Sequence, residues 1–113
     1  MTQEVHFPGS TVLLVLALLE NGDKYGYQMI HELEARSDKT FALREGMLYP
    51  ILHRLERQGD IRAYEQTSDT GRRRRYYQLT RQGIRALTRK RREWNLFCKK
   101  FGKVAGGEAC DRL

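Results

Sequence analysis

The segment "GMLYPILHRLERQGDIRAYE", residues 46–65, changes its hydrophobic period at Gly59. Before that glycine, apolar residues recur every three or four positions, which at about 100° per residue places them on one side of a helix. After it, apolar and polar residues alternate, as they do in a half-buried strand. The segment therefore predicts a short helix that a glycine terminates and a strand that follows directly. The apolar side of the helix consists of Leu48, Ile51, Leu52 and Leu55.

The opposite side of this helix carries an aromatic hydroxyl, an imidazole and a guanidinium. Tyr49, His53 and Arg57 are four residues apart and therefore form a second stripe. Pro50 lacks an N–H, so it is tolerated where that group has no helical partner. We therefore predict that Pro50 lies in the first turn of a helix that begins close to Gly46. The second stripe is either a contact surface or an ordinary solvated face, and this helix alone leaves both open.

Two helices are predicted before this segment. Ser10 is placed to cap the first, which is apolar nearly all round and runs to about Asn21. The second begins near Tyr25 and runs to about Arg36. Residues 1–9 form a predicted mobile arm.

The sequence beyond residue 65 completes a hairpin and adds a long helix. The alternating "RRRRYYQL", residues 72–79, follows the turn-rich "QTSDTG", and Thr80 can cap a final helix. Three helices, a two-stranded hairpin and a long helix make a mainly α fold with a β-hairpin. This order is typical of a winged helix-turn-helix, whose third helix enters the major groove of DNA.

Charge is distributed unevenly along the 113 residues. The net charge is +7 and the isoelectric point is about 9.7. Residues 1–43 carry a balance of −3, whereas residues 44–113 carry +10. A strongly basic region indicates a polyanionic partner, most often nucleic acid, although an acidic membrane surface or an acidic protein fits the charge equally well.

Four consecutive arginines lie at the tip of the predicted hairpin. Like charges this close repel one another and cost stability unless a polyanion is present. Arginine at a hairpin tip suits contact with phosphates or with a narrow minor groove. The alternative is a charged edge that prevents pairing with other strands. The four residues are Arg72, Arg73, Arg74 and Arg75.

The final helix has a heptad-like apolar stripe that extends beyond a small three-helix core. We predict that it pairs with a second copy of the chain; it could instead pack on its own domain, or serve as a basic amphipathic helix for a membrane or a partner groove. The predicted dimer residues are Ile84, Leu87, Arg91, Trp94, Phe97, Cys98 and Phe101.

The predicted divisions are the arm at 1–9, a winged-helix domain at 10–79, a dimerisation helix at 80–104 and a flexible tail at 105–113.

Several classes of protein find no support in the sequence. Two cysteines are too few for a disulfide framework and match no zinc spacing. We see no signal peptide, no apolar run long enough for a bilayer, and no catalytic constellation or phosphate loop. We therefore predict a non-enzymatic cytoplasmic protein without a cofactor or a metal.

Three segments resemble the PadR family of bacterial transcriptional regulators. They are "KYGYQMIHELE", "GMLYPILHRLERQGDI" and "GRRRRYYQLTRQG", and they agree with the family blocks in order and spacing. One long C-terminal helix and a short total length resemble the smaller PadR subfamily. The resemblance implies a homodimeric repressor on a palindromic operator, with the last helix crossing to the partner subunit. It also implies relief of repression by a small aromatic or hydrophobic ligand, bound near Trp94, Val12 and Leu13.

These observations favour a sequence-specific regulator of transcription that binds double-stranded DNA. A non-specific basic or architectural DNA-binding protein, and a protein-interaction adaptor that uses the basic helix, remain as alternatives. Tyr49, Pro50, His53 and Arg57 are expected in the major groove. Tyr25, Tyr27 and Arg44 are expected to lie against the DNA backbone, and the hairpin arginines 72–75 are expected to form the wing contact.

Overall fold

A computed structural model describes residues 9–106 of the protein, and the element order within it is that of a winged helix-turn-helix. The predicted fold class is confirmed, and each predicted helix and strand is present with ends within about two residues of those expected. The predicted arm up to residue 8 and the tail from residue 107 lie outside the described residues. The elements are α1 (Ser10–Glu20), β1 (Lys24–Tyr25), α2 (Gly26–Arg36), α3 (Glu45–Gln58), β2 (Ile61–Thr67), β3 (Arg73–Leu79) and α4 (Arg81–Ala105).

Helix α1 begins one residue earlier than the sequence predicts. The N-cap position is Gly9, with a φ of 80°, and its carbonyl oxygen accepts the first helical bond from the Leu13 N–H at 3.0 Å. Ser10 is therefore the first residue of the helix and is buried, so the prediction that it caps α1 is wrong. The rest of α1 is apolar nearly all round, and most of its side chains are buried.

Helix α3 begins at Glu45, so Pro50 lies in its second turn and the first-turn prediction is wrong. An N–H at position 50 would bond to the carbonyl of Gly46. The carbonyl that loses this bond belongs to an exposed residue, since Gly46 is exposed and a Cβ placed on it would meet open space. The predicted glycine cap is confirmed, since Gly59 ends α3 in the left-handed region with a φ of 87°.

The hairpin is part of a three-stranded antiparallel sheet in the order β1-β3-β2. Ile61 pairs with Leu79 at the base of the hairpin and Thr67 pairs with Arg73 near its tip. Strand β1 adds a third strand that the sequence did not reveal, because two residues are too short to show a period. Its pairing of Lys24 with Tyr77 makes β3 the central strand. The wing is therefore joined to the chain segment between α1 and α2.

The core lies between the three helices, the inner face of the sheet and the first half of α4. Leu16, Met29, Leu52 and Ile61 are fully buried there, and Leu87 joins them from α4. Beyond this point α4 leaves the core, and four of its large apolar residues are more than a third exposed. These are Leu96, Phe97, Phe101 and Val104.

Candidate nucleic-acid interface

The outer face of α3 is exposed over its second half. Leu48, Leu52 and Leu55 anchor the helix in the core, and the predicted apolar side is thereby confirmed. His53 and Arg57, on the other side, are exposed. An imidazole and a guanidinium one turn apart offer the donors that read base edges and phosphates.

Tyr49 begins the same stripe but is only half exposed. Its ring lies on Gly26, the first residue of α2, where a Cβ would stand 2.5 Å from the tyrosine Oη. A side chain at this position would therefore force the Tyr49 ring to move. The tyrosine hydroxyl lies at the positive N-terminal end of α2, which is a favourable place for a phosphate. Pro50, beside it, is exposed.

The start of α2 presents two further tyrosines. Tyr27 is 57% exposed, and its ring meets the His31 ring edge-on with centroids 4.4 Å apart. Tyr25 is half-buried, and its N–H donates to the Gln28 side chain at 3.1 Å. Arg44, the residue before α3, is exposed. The structure therefore leaves Tyr27 and Arg44 accessible at the surface, whereas Tyr25 is partly covered.

The four arginines of the wing do not form an uncompensated run, which corrects the expectation of mutual repulsion. Arg73 is paired with Glu65 of the neighbouring strand, and Arg75 with Glu56 of α3. The guanidinium of Arg74 lies over the Tyr25 ring, 4.5 Å from its centroid. Arg72 is exposed in the turn and takes no part in the ion pairs found among residues 9–106.

Asp23 fixes the outer face of the sheet. Its carboxylate accepts the hydroxyl of Tyr64 at 2.7 Å and the side-chain amide of Gln78 at 3.1 Å. The bond to the carboxylate raises the pKa of Tyr64, because it stabilises the protonated phenol. On the inner face, burial raises the pKa of Tyr77. Both phenols are thus held neutral, and the aspartate ties the start of β1 to the hairpin.

The predicted dimer residues of α4 fall into two groups. Leu87 is buried in the chain's own core, and Cys98 is also buried. The Arg91 guanidinium donates two hydrogen bonds, of 2.5 and 2.7 Å, to the Glu20 carboxylate at the end of α1. These bonds hold the pKa of Glu20 below its usual value. The others form a more exposed surface: Ile84 is exposed near the start of α4, and Trp94, Phe97 and Phe101 stack one on the next farther along.

The three residues expected around a ligand differ in their burial. Leu13 is buried in the core, whereas Val12 and Trp94 are half-buried at its edge. An open groove of about 340 Å³ lies elsewhere, between the end of α1, β3 and the start of α4. Its lining includes Leu19, Gln78 and Ile84 but none of the three expected residues.

Residues 9–106 contain no group of three or more His, Cys, Asp or Glu side chains placed to hold a metal ion. None of the helices described is long and apolar enough to cross a membrane.

Comparison with known proteins identifies the family. The model described as "Transcriptional regulator PadR-like family" matches residues 15–89. The chain belongs to this family. This PadR-like protein is therefore a DNA-binding transcriptional regulator, and the resemblance seen in its three sequence blocks is confirmed.

Solved structures agree with this assignment. The PadR-like chain is 34% identical to a transcriptional regulator from Clostridium thermocellum, with a TM-score of 0.79 over 87% of this chain and 95% of that one. It is also 34% identical to a PadR family transcription regulator from Clostridium difficile, with a TM-score of 0.71 over 83% and 96%. An uncharacterised protein from Lysinibacillus sphaericus is 33% identical over 72% of this chain and 74% of its own length.

Three contacts of the PadR-like site escaped sequence reasoning. Glu56 and Glu65 pair with wing arginines, and Glu20 pairs with Arg91 from 71 residues away. The only sequence signal for the Glu56 contact was the presence of a glutamate in α3. Nothing in the spacing could reveal the third, because it depends on how α1 crosses α4.

Proposed function

We propose that this protein is a homodimeric repressor that binds a palindromic operator. The observation that carries the proposal is the exposed outer face of α3, where His53 and Arg57 project from a helix whose other side is buried. In this assignment, the winged-helix domain at 10–79 reads the DNA, and the helix at 80–104 joins two copies. The protein acts in the bacterial cytoplasm on the nucleoid, without a cofactor and without enzymatic activity.

The contacts divide by their part in recognition. Tyr49, Pro50, His53 and Arg57 face the major groove, where side chains of α3 read base edges. Tyr25, Tyr27, Arg44 and the wing arginines face the sugar-phosphate backbone, which sets orientation rather than sequence.

A second copy of the chain is the proposed partner of α4. Phe97 and Phe101 are 37% and 57% exposed, and they continue the row of rings that begins at Trp94. Apolar rings at helical spacing are buried when two such helices pair. We further propose that a small aromatic or hydrophobic ligand binds between the copies, near Val12, Leu13 and Trp94, and relieves repression.

The test compares two DNA duplexes by fluorescence anisotropy. One contains the DNA upstream of the protein's own gene and the other a scrambled version, at about 150 mM salt. We expect a preference of about 10³-fold or more for the first, as for other specific sites. Equal affinity with a steep salt dependence indicates a non-specific basic protein instead. If the protein binds neither duplex but binds another protein through Phe101, it is an adaptor.

Variants of α3 make this test specific. His53→Ala and Arg57→Ala should each reduce the preference by about 1–3 kcal/mol, because contacts to base edges are lost. Arg89→Ala is the matched control, since it removes an exposed arginine from α4. If the control lowers the preference as much as Arg57→Ala, net charge and not base contact explains the binding.

A further inference from the structure

The helix-facing side of the wing holds two acids and two arginines. In β3, Arg73 and Arg75 point to the same side, because they are two residues apart. Glu65 lies directly opposite Arg75 in the strand register and pairs diagonally with Arg73. Glu56, from α3, completes the group by binding Arg75 at 3.1 and 3.4 Å. These four residues, here called the wing cluster, carry no net charge.

The other two arginines of the run lie outside the wing cluster. Arg72 is exposed in the turn, and its backbone N–H is bonded to the Ser68 hydroxyl. Arg74 points to the opposite side of the sheet and stacks on the face of Tyr25. A guanidinium stacked by its flat face keeps its N–H donors in the plane, directed outward. Arg74 is half-buried and Arg72 exposed, and neither takes part in the ion pairs found among residues 9–106, so neither has to break one to contact a phosphate.

We propose that Glu56 and Glu65 are positioning residues that set which wing arginines contact DNA. Arg72 and Arg74 contact phosphates, whereas Arg73 and Arg75 remain bound to their acids. The pair of Arg75 with Glu56 holds the wing against α3. A phosphate competing for Arg75 would have to leave the Glu56 carboxylate unpaired close to the negatively charged duplex. This inference rests on the proposed DNA binding and divides the wing arginines into two functional pairs.

Salt dependence distinguishes the two pairs, because each cation that neutralises a phosphate releases counterions. The logarithm of affinity then falls against the logarithm of salt with a slope of about 0.9 per contact. A scrambled fluorescein-labelled duplex suffices as the probe, since phosphate contacts do not depend on sequence. We expect Arg72→Ala and Arg74→Ala to lower the slope by about 0.9 each, and Arg73→Ala and Arg75→Ala to leave it unchanged.

The decisive measurement adds Glu56→Gln. This variant frees Arg75, so the slope should rise by about 0.9, and Arg75→Ala in the same background should remove that increase. Glu65→Gln with Arg73→Ala repeats the test at the other pair. Glu56→Asp, which keeps the charge, should restore the wild-type slope. Asp69→Asn is the matched control: it changes the charge of the exposed wing turn equally but frees no arginine, because Asp69 forms no ion pair among the described residues.

Three results would overturn the inference. The first is a salt slope that falls equally when each of the four arginines is replaced by alanine. The second is an Arg75→Ala substitution that leaves the slope of the Glu56→Gln variant unchanged. The third is an Asp69→Asn variant that raises the slope as much as Glu56→Gln does. The proposed repressor function survives each of them if the upstream duplex is still preferred. Loss of that preference, with the slopes as expected, overturns the repressor function alone. Far-ultraviolet circular dichroism of each variant verifies that the fold is intact.

Discussion

The carbonyl oxygen of Asp60 occupies the space where a side chain on Gly83 would begin. A Cβ at Gly83 would stand 1.9 Å from that oxygen, which itself accepts the Thr80 N–H at 3.1 Å. The Thr80 hydroxyl donates to the carbonyl of Gly59 at 2.6 Å and accepts the Gly83 N–H at 3.1 Å, so the predicted Thr80 cap is confirmed. The end of α3 and the start of α4 are thereby fixed to each other.

Gly83→Ala should therefore destabilise the protein by about 3 kcal/mol or more, because a methyl group meets backbone that cannot move aside. Urea unfolding followed by circular dichroism measures the change. Gly46→Ala is the control, since open space surrounds Gly46 within α3. It should stabilise the protein by up to about 1 kcal/mol, because alanine is the better helix former. Equal effects of the two variants would contradict the close contact.

The ion pair between Glu20 and Arg91 should make stability depend on acid pH. Arg91 lowers the pKa of Glu20 in the folded chain below its usual value of 4.5. The pair therefore stabilises the fold above that value, and its contribution disappears as the pH falls through the lower folded pKa. Urea midpoints of wild type and Glu20→Gln should differ at about pH 7 and converge once the pH lies below the folded pKa of Glu20.

The control for this titration is Glu93→Gln. Glu93 pairs with Arg89 along the same helix at 4.0 Å, and both side chains are more than half exposed. Such an exposed ion pair contributes little to the free energy of unfolding. Its removal should leave the midpoint nearly unchanged at every pH, and a pH-dependent loss as large as that of Glu20→Gln would argue against a special role of the Glu20 pair.

Phe101→Asp should dissociate the proposed dimer. An interface with two-fold symmetry loses two phenylalanines at once, and each buried ring contributes about 2 kcal/mol, so Kd should rise by about two orders of magnitude or more. Sedimentation velocity over a range of concentrations measures it. Lys99→Asp introduces the same carboxylate about 200° away around the helix and should leave the dimer intact. A monomeric wild type contradicts the proposal directly.

Trp94 provides its own signal for the proposed ligand site, because it is the single tryptophan of the chain. Anilinonaphthalene sulfonate is a flat anionic probe that suits a site near Arg91 and Arg92. We expect it to quench Trp94 emission in the dimer and to weaken binding to the upstream duplex. The Phe101→Asp monomer should show neither effect. Quenching that is undiminished in the monomer would place the probe outside the subunit interface.

Much of the fold was predictable because the local signals agree. The change of period at Gly59, the Thr80 cap and the alternation in the wing each depend on neighbouring residues. The errors concern where two helices begin, because a hydrophobic pattern does not fix the first residue of a helix. Gly9 rather than Ser10 is the N-cap of α1, and α3 begins at Glu45, so Pro50 lies a turn deeper than expected.

The site was less predictable than the fold, since it depends on pairs from different elements. The arginine run was evident in the sequence, but the pairing of two of its members with acids was not; Glu56, for example, lies 19 residues before Arg75. Tyr49 follows the spacing of His53 and Arg57, yet its ring turns toward Gly26. Periodicity predicts which side of a helix a residue occupies; it does not predict which neighbour covers it.

The contact between Glu20 and Arg91 also governs how the chain acquires its structure during synthesis. These residues are 71 positions apart, and Asp23 meets Gln78 across 55. Closing such long loops is slow because of its entropic cost. The apolar helix α1 leaves the ribosome long before α4, which completes its covering. The side of α1 that α4 covers is therefore exposed to chaperones until the sequence as far as about Arg91 has emerged.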